Sequence, residues 1–159
     1  VELPRLAFPE YNFKIESPSL SPQSAKIFDI VRKKYVALTP EEWVRQHLLH
    51  FLVMERNFRA SLLSVEKKLL VDKMEKRTDV VAYSKSLKPL MIAECKAPAV
   101  KLTQDVFDQA ARYNRTFGVS FLLITNGHES FFCQVDNAKG TYLFREEIPR
   151  YEDLVLLSG

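Results

Sequence analysis

Along this sequence the apolar residues switch from a helical period to a strand period, back to helical, and then to strand again. That alternation restricts the fold more than any other feature. Thr39-Pro40-Glu41-Glu42 carries a capping threonine, a proline at the first helical position and a glutamate three residues after the threonine. Trp43, Val44, His47, Leu48, Phe51 and Leu52 then recur with helical spacing, which predicts a helix over about 40–54. Leu62–Val71, Asp79–Tyr83 and Leu90–Cys95 read as strands, the first two separated by a polar turn at Asp72–Lys76 and the last two joined around Ser84–Lys88. Thr103 caps a second helix over about 104–116, which Gly118 ends. Val106, Gln109, Ala110 and Tyr113 are expected on one face of it. Ser120–Thr125 is a compact apolar strand, and Phe131–Val135 with Thr141–Phe144 forms a hairpin across Asp136–Gly140. Helix, three strands, helix, then two or three strands predicts an α/β domain with a mixed sheet flanked by helices.

Residues 1–25 are expected to form an extended arm lying across the domain, and 26–159 the domain itself. Pro4, Pro9, Pro18 and Pro22 disfavour a helix in the arm, and Tyr11, Phe13 and Ile15 alternate with polar neighbours as in a half-buried strand. Lys26–Leu38 is ambiguous, with apolar residues surrounding Arg32-Lys33-Lys34. A chain of 159 residues that is 47% apolar and 27% charged suits one globular domain, without repeats or low-complexity tracts.

Four glycines allow neither a P-loop nor a dinucleotide-binding fingerprint, which disfavours a nucleotide-driven motor. The two cysteines, Cys95 and Cys133, give no disulfide framework. The longest apolar runs, such as Phe121–Ile124, are too short to span a bilayer, and no secretory leader pattern opens the chain. A reduced, cytoplasmic protein without a membrane partner is expected. The net charge of +3 is compatible with a nucleic-acid partner but does not demand one. His47, His50 and His128 lack the spacing of a zinc site, and His47 reads as a helix-packing residue.

The chemistry concentrates in Arg77-Thr78-Asp79-Val80-Val81 and Leu90-Met91-Ile92-Ala93-Glu94-Cys95-Lys96. Strand alternation sends Glu94 and Lys96 to one side and Cys95 to the other, and antiparallel pairing brings Asp79 beside Glu94. Two carboxylates hold a hard cation that keeps its waters and accepts a phosphate oxygen, while a lysine orients or deprotonates the attacking water. A salt-bridge cluster at the end of the sheet explains the same three residues equally well from spacing alone.

Arg77–Val81 followed by Glu94-Cys95-Lys96-Ala97-Pro98 resembles the PD-(D/E)XK nuclease superfamily, with Thr78 where the motif name has proline. Thr39–Gln46, Glu146-Glu147-Ile148-Pro149 and the Q-x-x-x-Y element Gln109–Tyr113 resemble the N-terminal nuclease domain of type I restriction enzyme motor subunits. The resemblance covers roughly residues 26–154, with its elements in family order. It implies a restriction-endonuclease-like core and a DNA endonuclease dependent on Mg²⁺, with Mn²⁺ as substitute. Asp79 and Glu94 are then metal ligands with the Cys95 carbonyl as a third, and Lys96 is the catalytic lysine. Gln109 and Tyr113 sit over the site and orient Lys96 or a substrate phosphate. Glu42 resembles the helix glutamate aimed at the metal and is equally well explained as a capping-box residue; Glu66 is the other candidate for the additional carboxylate.

Arg77, Lys101, Arg112 and Arg115 are the expected DNA track, with Arg32-Lys33-Lys34 and Lys76 near it; an ordinary solvated face accounts for any one of them. Motor subunits carry a helicase engine after this domain, so either a free-standing relative or a fragment is expected. Separate motor or specificity subunits are then expected partners. One site per chain calls for a homodimer or two successive events to cut both strands. The rival expectations are a module that grips DNA or a partner without turnover, and a purely structural domain.

Overall fold

The computed structural model describes residues 3–17, 24–71 and 73–158. A small antiparallel sheet comes first, β1 (Ile15–Glu16), β2 (Lys26–Asp29) and β3 (Lys34–Ala37), so the ambiguous stretch is a β-hairpin. Helix α1 (Pro40–Glu55) follows. Strands β4 (Leu63–Val71), β5 (Met74–Tyr83) and β6 (Pro89–Cys95) then lead through α2 (Gln104–Phe117) to β7 (Phe121–Thr125), β8 (Ser130–Asp136) and β9 (Thr141–Arg145). The chain closes on α3 (Tyr151–Ser158), a helix missing from the sequence reading.

The large sheet has the order β4-β5-β6-β7-β8-β9. Only the β6–β7 pair is parallel, with Met91 opposite Phe121 and Cys95 opposite Thr125, so the sheet is mixed. A parallel pair needs a crossover, and α2 supplies it. All five residues of β7 are buried, as expected of a central strand covered on both faces.

Alternation along the strands divides the core into two layers. Val80, Ala82, Met91, Ala93, Cys95, Phe121 and Leu123 face α1 and α3, where Leu48, Leu49, Leu52 and Leu154 are wholly buried. Leu122, Ile124, Cys133 and Val135 face α2 and pack on Ala110 and Ala111. Each fully buried leucine contributes on the order of 1.5–3 kcal/mol. Beyond the first turn, helix α2 buries Ala110, Ala111 and Asn114, while Gln109 and Tyr113 lie exposed. The expected face is therefore rotated. The small alanines allow close approach to the sheet, and Asn114 Nδ2 is satisfied at 2.8 Å by the Val119 carbonyl.

Thr39 caps α1 by accepting from the Glu42 amide at 3.0 Å, and Gly118 ends α2 at φ 65°. The N-terminal segment lies on α1. Trp43 Nε1 donates to the Pro4 carbonyl at 2.8 Å, Ala7 N to the Gly127 carbonyl at 2.7 Å, and Phe13 sits among Trp43, His47 and His50. Pro18 and Pro22 fall outside the described residues, as does Asp72 of the expected polar turn. Strand β5 already begins at Met74, within the stretch expected as that turn.

Candidate active site

Strands β5 and β6 pair from Tyr83 back to Val80, which lies opposite Ala93. One step further the same register sets Asp79 against Glu94, and there the ladder ends. The Cys95 amide donates to Asp79 Oδ2 at 2.7 Å. The carboxylate thus holds the two strands where they part. Glu94 and Lys96 approach each other at 3.7 Å, and Cys95 points into the α1 core. Asp79, Glu94, Cys95 and Lys96 are therefore gathered at one sheet end.

A second strand pair meets the same point. Val65 pairs with Val80 and Lys67 with Thr78, but the intervening pair, Glu66 and Asp79, forms no bridge. Glu66 adopts φ 53°, a left-handed conformation that costs a non-glycine residue of order 1–3 kcal/mol. With the alternation broken there, Glu66 and Asp79 both reach Arg45 on α1, at 3.5 and 3.4 Å.

Arg45 is the hub of this cluster. Its side chain is 4% exposed and also meets Glu41 at 3.2 Å and Glu42 at 2.8 Å. Arg32 in the β2–β3 turn ties Asp29 (2.6 Å), Glu42 (2.8 Å) and Glu66 (3.3 Å) together, and Arg77 lies 2.8 Å from Glu66. Burial opposes the charge on Glu66, but Arg45, Arg77 and Arg32 outweigh it and hold its pKa below the ordinary value. Asp79 goes the other way. Burial raises its pKa, Glu94 adds to that, and the Cys95 amide, Arg45 and Lys96 do not fully compensate. Glu41 is likewise raised, by burial and then by Asp79, with Arg45 and Lys96 opposing.

Glu42 is held by arginines and does not close a capping box. Its carboxylate accepts from Arg32, Arg45 and, at 3.1 Å, Gln46 Nε2, while the Thr39 amide that would close a capping box donates to Ala37 instead. The acid on α1 that interacts electrostatically with Asp79 and Lys96 is its neighbour Glu41. The sequence gives Glu41 and Arg45 no evident role, and Arg32, expected near the DNA track, is instead drawn into this network. The Glu41/Glu42–Arg45 spacing of four and three residues signals intrahelical pairing, but nothing local signals that the arginine is buried against two strands.

Of the remaining candidates, Arg77 joins the cluster through Glu66, and the others lie on α2 and its approach. Gln109 is exposed, so no buried amide there requires a partner, and Tyr113 is 39% exposed. Lys101, Arg112 and Arg115 are exposed along the approach to α2 and on it, with Arg115 donating to Tyr142 Oη at 3.1 Å. Arg77 is exposed on β5. Among the described residues no three His, Cys, Asp or Glu side chains converge as a ready cage for a metal. Two carboxylates at a strand parting nevertheless fit a hard cation that keeps most of its waters. No helix is long and apolar enough to cross a membrane among the described residues.

Comparison with known proteins gives a consistent identification. No curated protein matches. A fragment of a chain described as a putative HsdR subunit of a type I restriction enzyme, from Vibrio vulnificus YJ016, superposes with a TM-score of 0.52 at 19% identity. The match covers 76% of this chain and 25% of that one, so this chain spans about a quarter of its length. At such identity the likeness establishes the fold, a restriction-endonuclease-like α/β core. The family model described as Type I restriction enzyme R protein N terminus (HSDR_N) matches residues 40–149, from the first residue of α1 to the turn before α3. The chain belongs to the family of type I restriction enzyme R protein N termini.

Proposed function

We propose that this protein is a DNA endonuclease dependent on a divalent metal, with its site at the parting of β5 and β6. The observation that carries the reading is the register that sets Asp79 against Glu94, with Lys96 3.7 Å from Glu94. Family membership supports a nuclease role.

In this reading Asp79, Glu94 and the Cys95 carbonyl would hold Mg²⁺, or Mn²⁺ in its place. The bound metal would lower the pKa of a water and offset charge developing on the phosphate. Asp79 is fixed for that task by the Cys95 amide, and the Lys96 ammonium orients the attacking water and offsets charge on the phosphate. Glu41 takes the position of the additional carboxylate on α1, because Glu42 is already neutralised by two arginines. Gln109 and Tyr113 are assigned to the approaching phosphate by resemblance, and their exposure leaves them accessible to it. DNA is the substrate. Other restriction subunits, motor or specificity, and a second copy of the chain are the proposed partners.

One observation favours a second reading, a DNA-gripping module without turnover. Arg32, Arg45 and Arg77 engage Glu42, Glu66 and Asp79, so arginines can neutralise these carboxylates in place of a metal. Incubation with supercoiled plasmid and single-stranded circles in Mg²⁺, Mn²⁺ or EDTA separates the two. Nicking that needs metal and disappears in Lys96→Ala supports hydrolysis at this site. DNA binding without cutting in either metal supports the module.

A further inference from the structure

The hairpin β4–β5 outruns β6 and folds against the α2 side of the sheet. Its strands pair from Leu63–Ala82 to Val71–Met74, whereas β6 accompanies β5 only from Tyr83 to Val80. Beyond Asp79 it is a two-stranded ribbon among the described residues, reaching about 17 Å from Asp79 to the last pair. Residues 67–77 carry five basic residues against two acidic ones, a net +3 equal to that of the whole chain. Lys67, Lys68, Lys73 and Arg77 are exposed. Two of these cations have exposed or half-exposed acidic neighbours, Lys68 with Glu75 at 3.1 Å and Arg77 with Glu66 at 2.8 Å. Such ion pairs are weak and exchange readily for phosphate. The stretch 101–115 has only three basic residues against two acidic ones, a net +1. Leu69 packs on the cluster of Val81, Ile92 and Val119, beside Phe117, which fixes the ribbon against the α2 side of the sheet.

We infer that this ribbon is the principal duplex-DNA-binding element, seated in the major groove with Asp79 at its base beside the scissile phosphate. The major groove of B-DNA admits a two-stranded β-ribbon, whereas the deep, narrow major groove of duplex RNA does not. The placement of the phosphate rests on the nuclease reading above; the binding itself does not. A ribbon rooted in the strand that carries Asp79 couples groove position to cutting position without a separate recognition domain.

The test measures binding of the full chain to a fluorescent DNA duplex, the matching single strand and the matching RNA duplex, in EDTA, over a salt series. Deleting one phosphate-neutralising cation flattens the plot of log affinity against log salt by about 0.9. Lys67→Ala/Lys68→Ala/Lys73→Ala is therefore expected to flatten the DNA-duplex slope by about two to three. Lys101→Ala/Arg112→Ala/Arg115→Ala is expected to flatten it by less. Far-UV circular dichroism and the thermal midpoint verify that both variants fold. An unchanged slope in the ribbon variant overturns the inference and leaves its lysines as guards against edge-to-edge sheet pairing. A larger loss in the α2 variant, or equal ribbon-dependent affinity for the RNA duplex or the single strand, also overturns it. Ribbon-dependent duplex binding by wild-type protein that does not cut in Mg²⁺ sinks the nuclease reading while upholding the ribbon.

Discussion

Arg45→Met removes a cation that touches Glu41, Glu42, Glu66 and Asp79 together. Methionine keeps much of the buried alkyl volume, so the change acts mainly on charge. Breaking a buried ion pair by deleting one partner costs about 3–5 kcal/mol, because the other charge stays in low dielectric. Here the cost belongs at the lower end. Glu42 retains Arg32 at 2.8 Å and Gln46 at 3.1 Å, and Asp79 retains the Cys95 amide at 2.7 Å. A loss of about 3 kcal/mol is a large part of the 5–15 kcal/mol typical of a folded domain. At about 2 kcal/mol per molar urea it lowers the unfolding midpoint by about 1.5 M. The relieved site has a second signature. With its guanidinium gone, the Asp79 environment is more negative, so added Mg²⁺ raises the midpoint of Arg45→Met more than that of wild type. Adding Glu42→Gln should recover part of the loss, and the coupling in that double-mutant cycle measures the pair. A midpoint within about 0.3 M of wild type, set against the roughly 1.5 M expected, refutes the reasoning.

Three other outcomes follow from the fold. Leu48→Ala empties a site of zero exposure between α1 and the sheet and should cost about 2–5 kcal/mol, read as a drop in the urea midpoint at constant slope. Burial lowers the pKa of His47 and His50 below the ordinary value of 6.5, only partly offset by their hydrogen bonds to the Trp43 and Gln46 carbonyls. Both therefore stay neutral in the folded chain while the unfolded chain protonates, and stability should fall as pH drops from about 6.5 toward their folded values. Asp79, raised instead, acts in the opposite sense and only in the carboxylate range. A urea midpoint unchanged between about pH 7.5 and 5.5 contradicts the histidine assignment. Burial pushes Cys133 up to about 12 and Cys95 well above its ordinary value, so neither thiol should react with iodoacetamide until the chain unfolds. Labelling of the native protein at either position refutes that.

Elements with local signals were legible in the amino-acid order. The Thr39 cap and helical period marked α1, Gly118 ended α2, and continuous apolar runs marked the interior strands β6 and β7. The antiparallel hairpin that brings the strand of Asp79 beside that of Glu94 was also legible, because such a hairpin follows from nearest neighbours. Helix α3 was not, since Tyr151 and Leu154 acquire a buried face only when Phe58 and the sheet are placed beneath them. Nor was the true buried face of α2, because two alanines and an asparagine leave little hydrophobic signal until Leu122 and Ile124 lie against them. The arginine network is wholly a product of long-range packing. Arg32, Arg45, Glu66 and Asp79 come from a turn, a helix and two strands. They meet where β4 turns left-handed at Glu66 and the β4–β5 ladder skips the Glu66–Asp79 bridge, and the low dielectric that makes the meeting matter exists only once the helix has packed on the sheet.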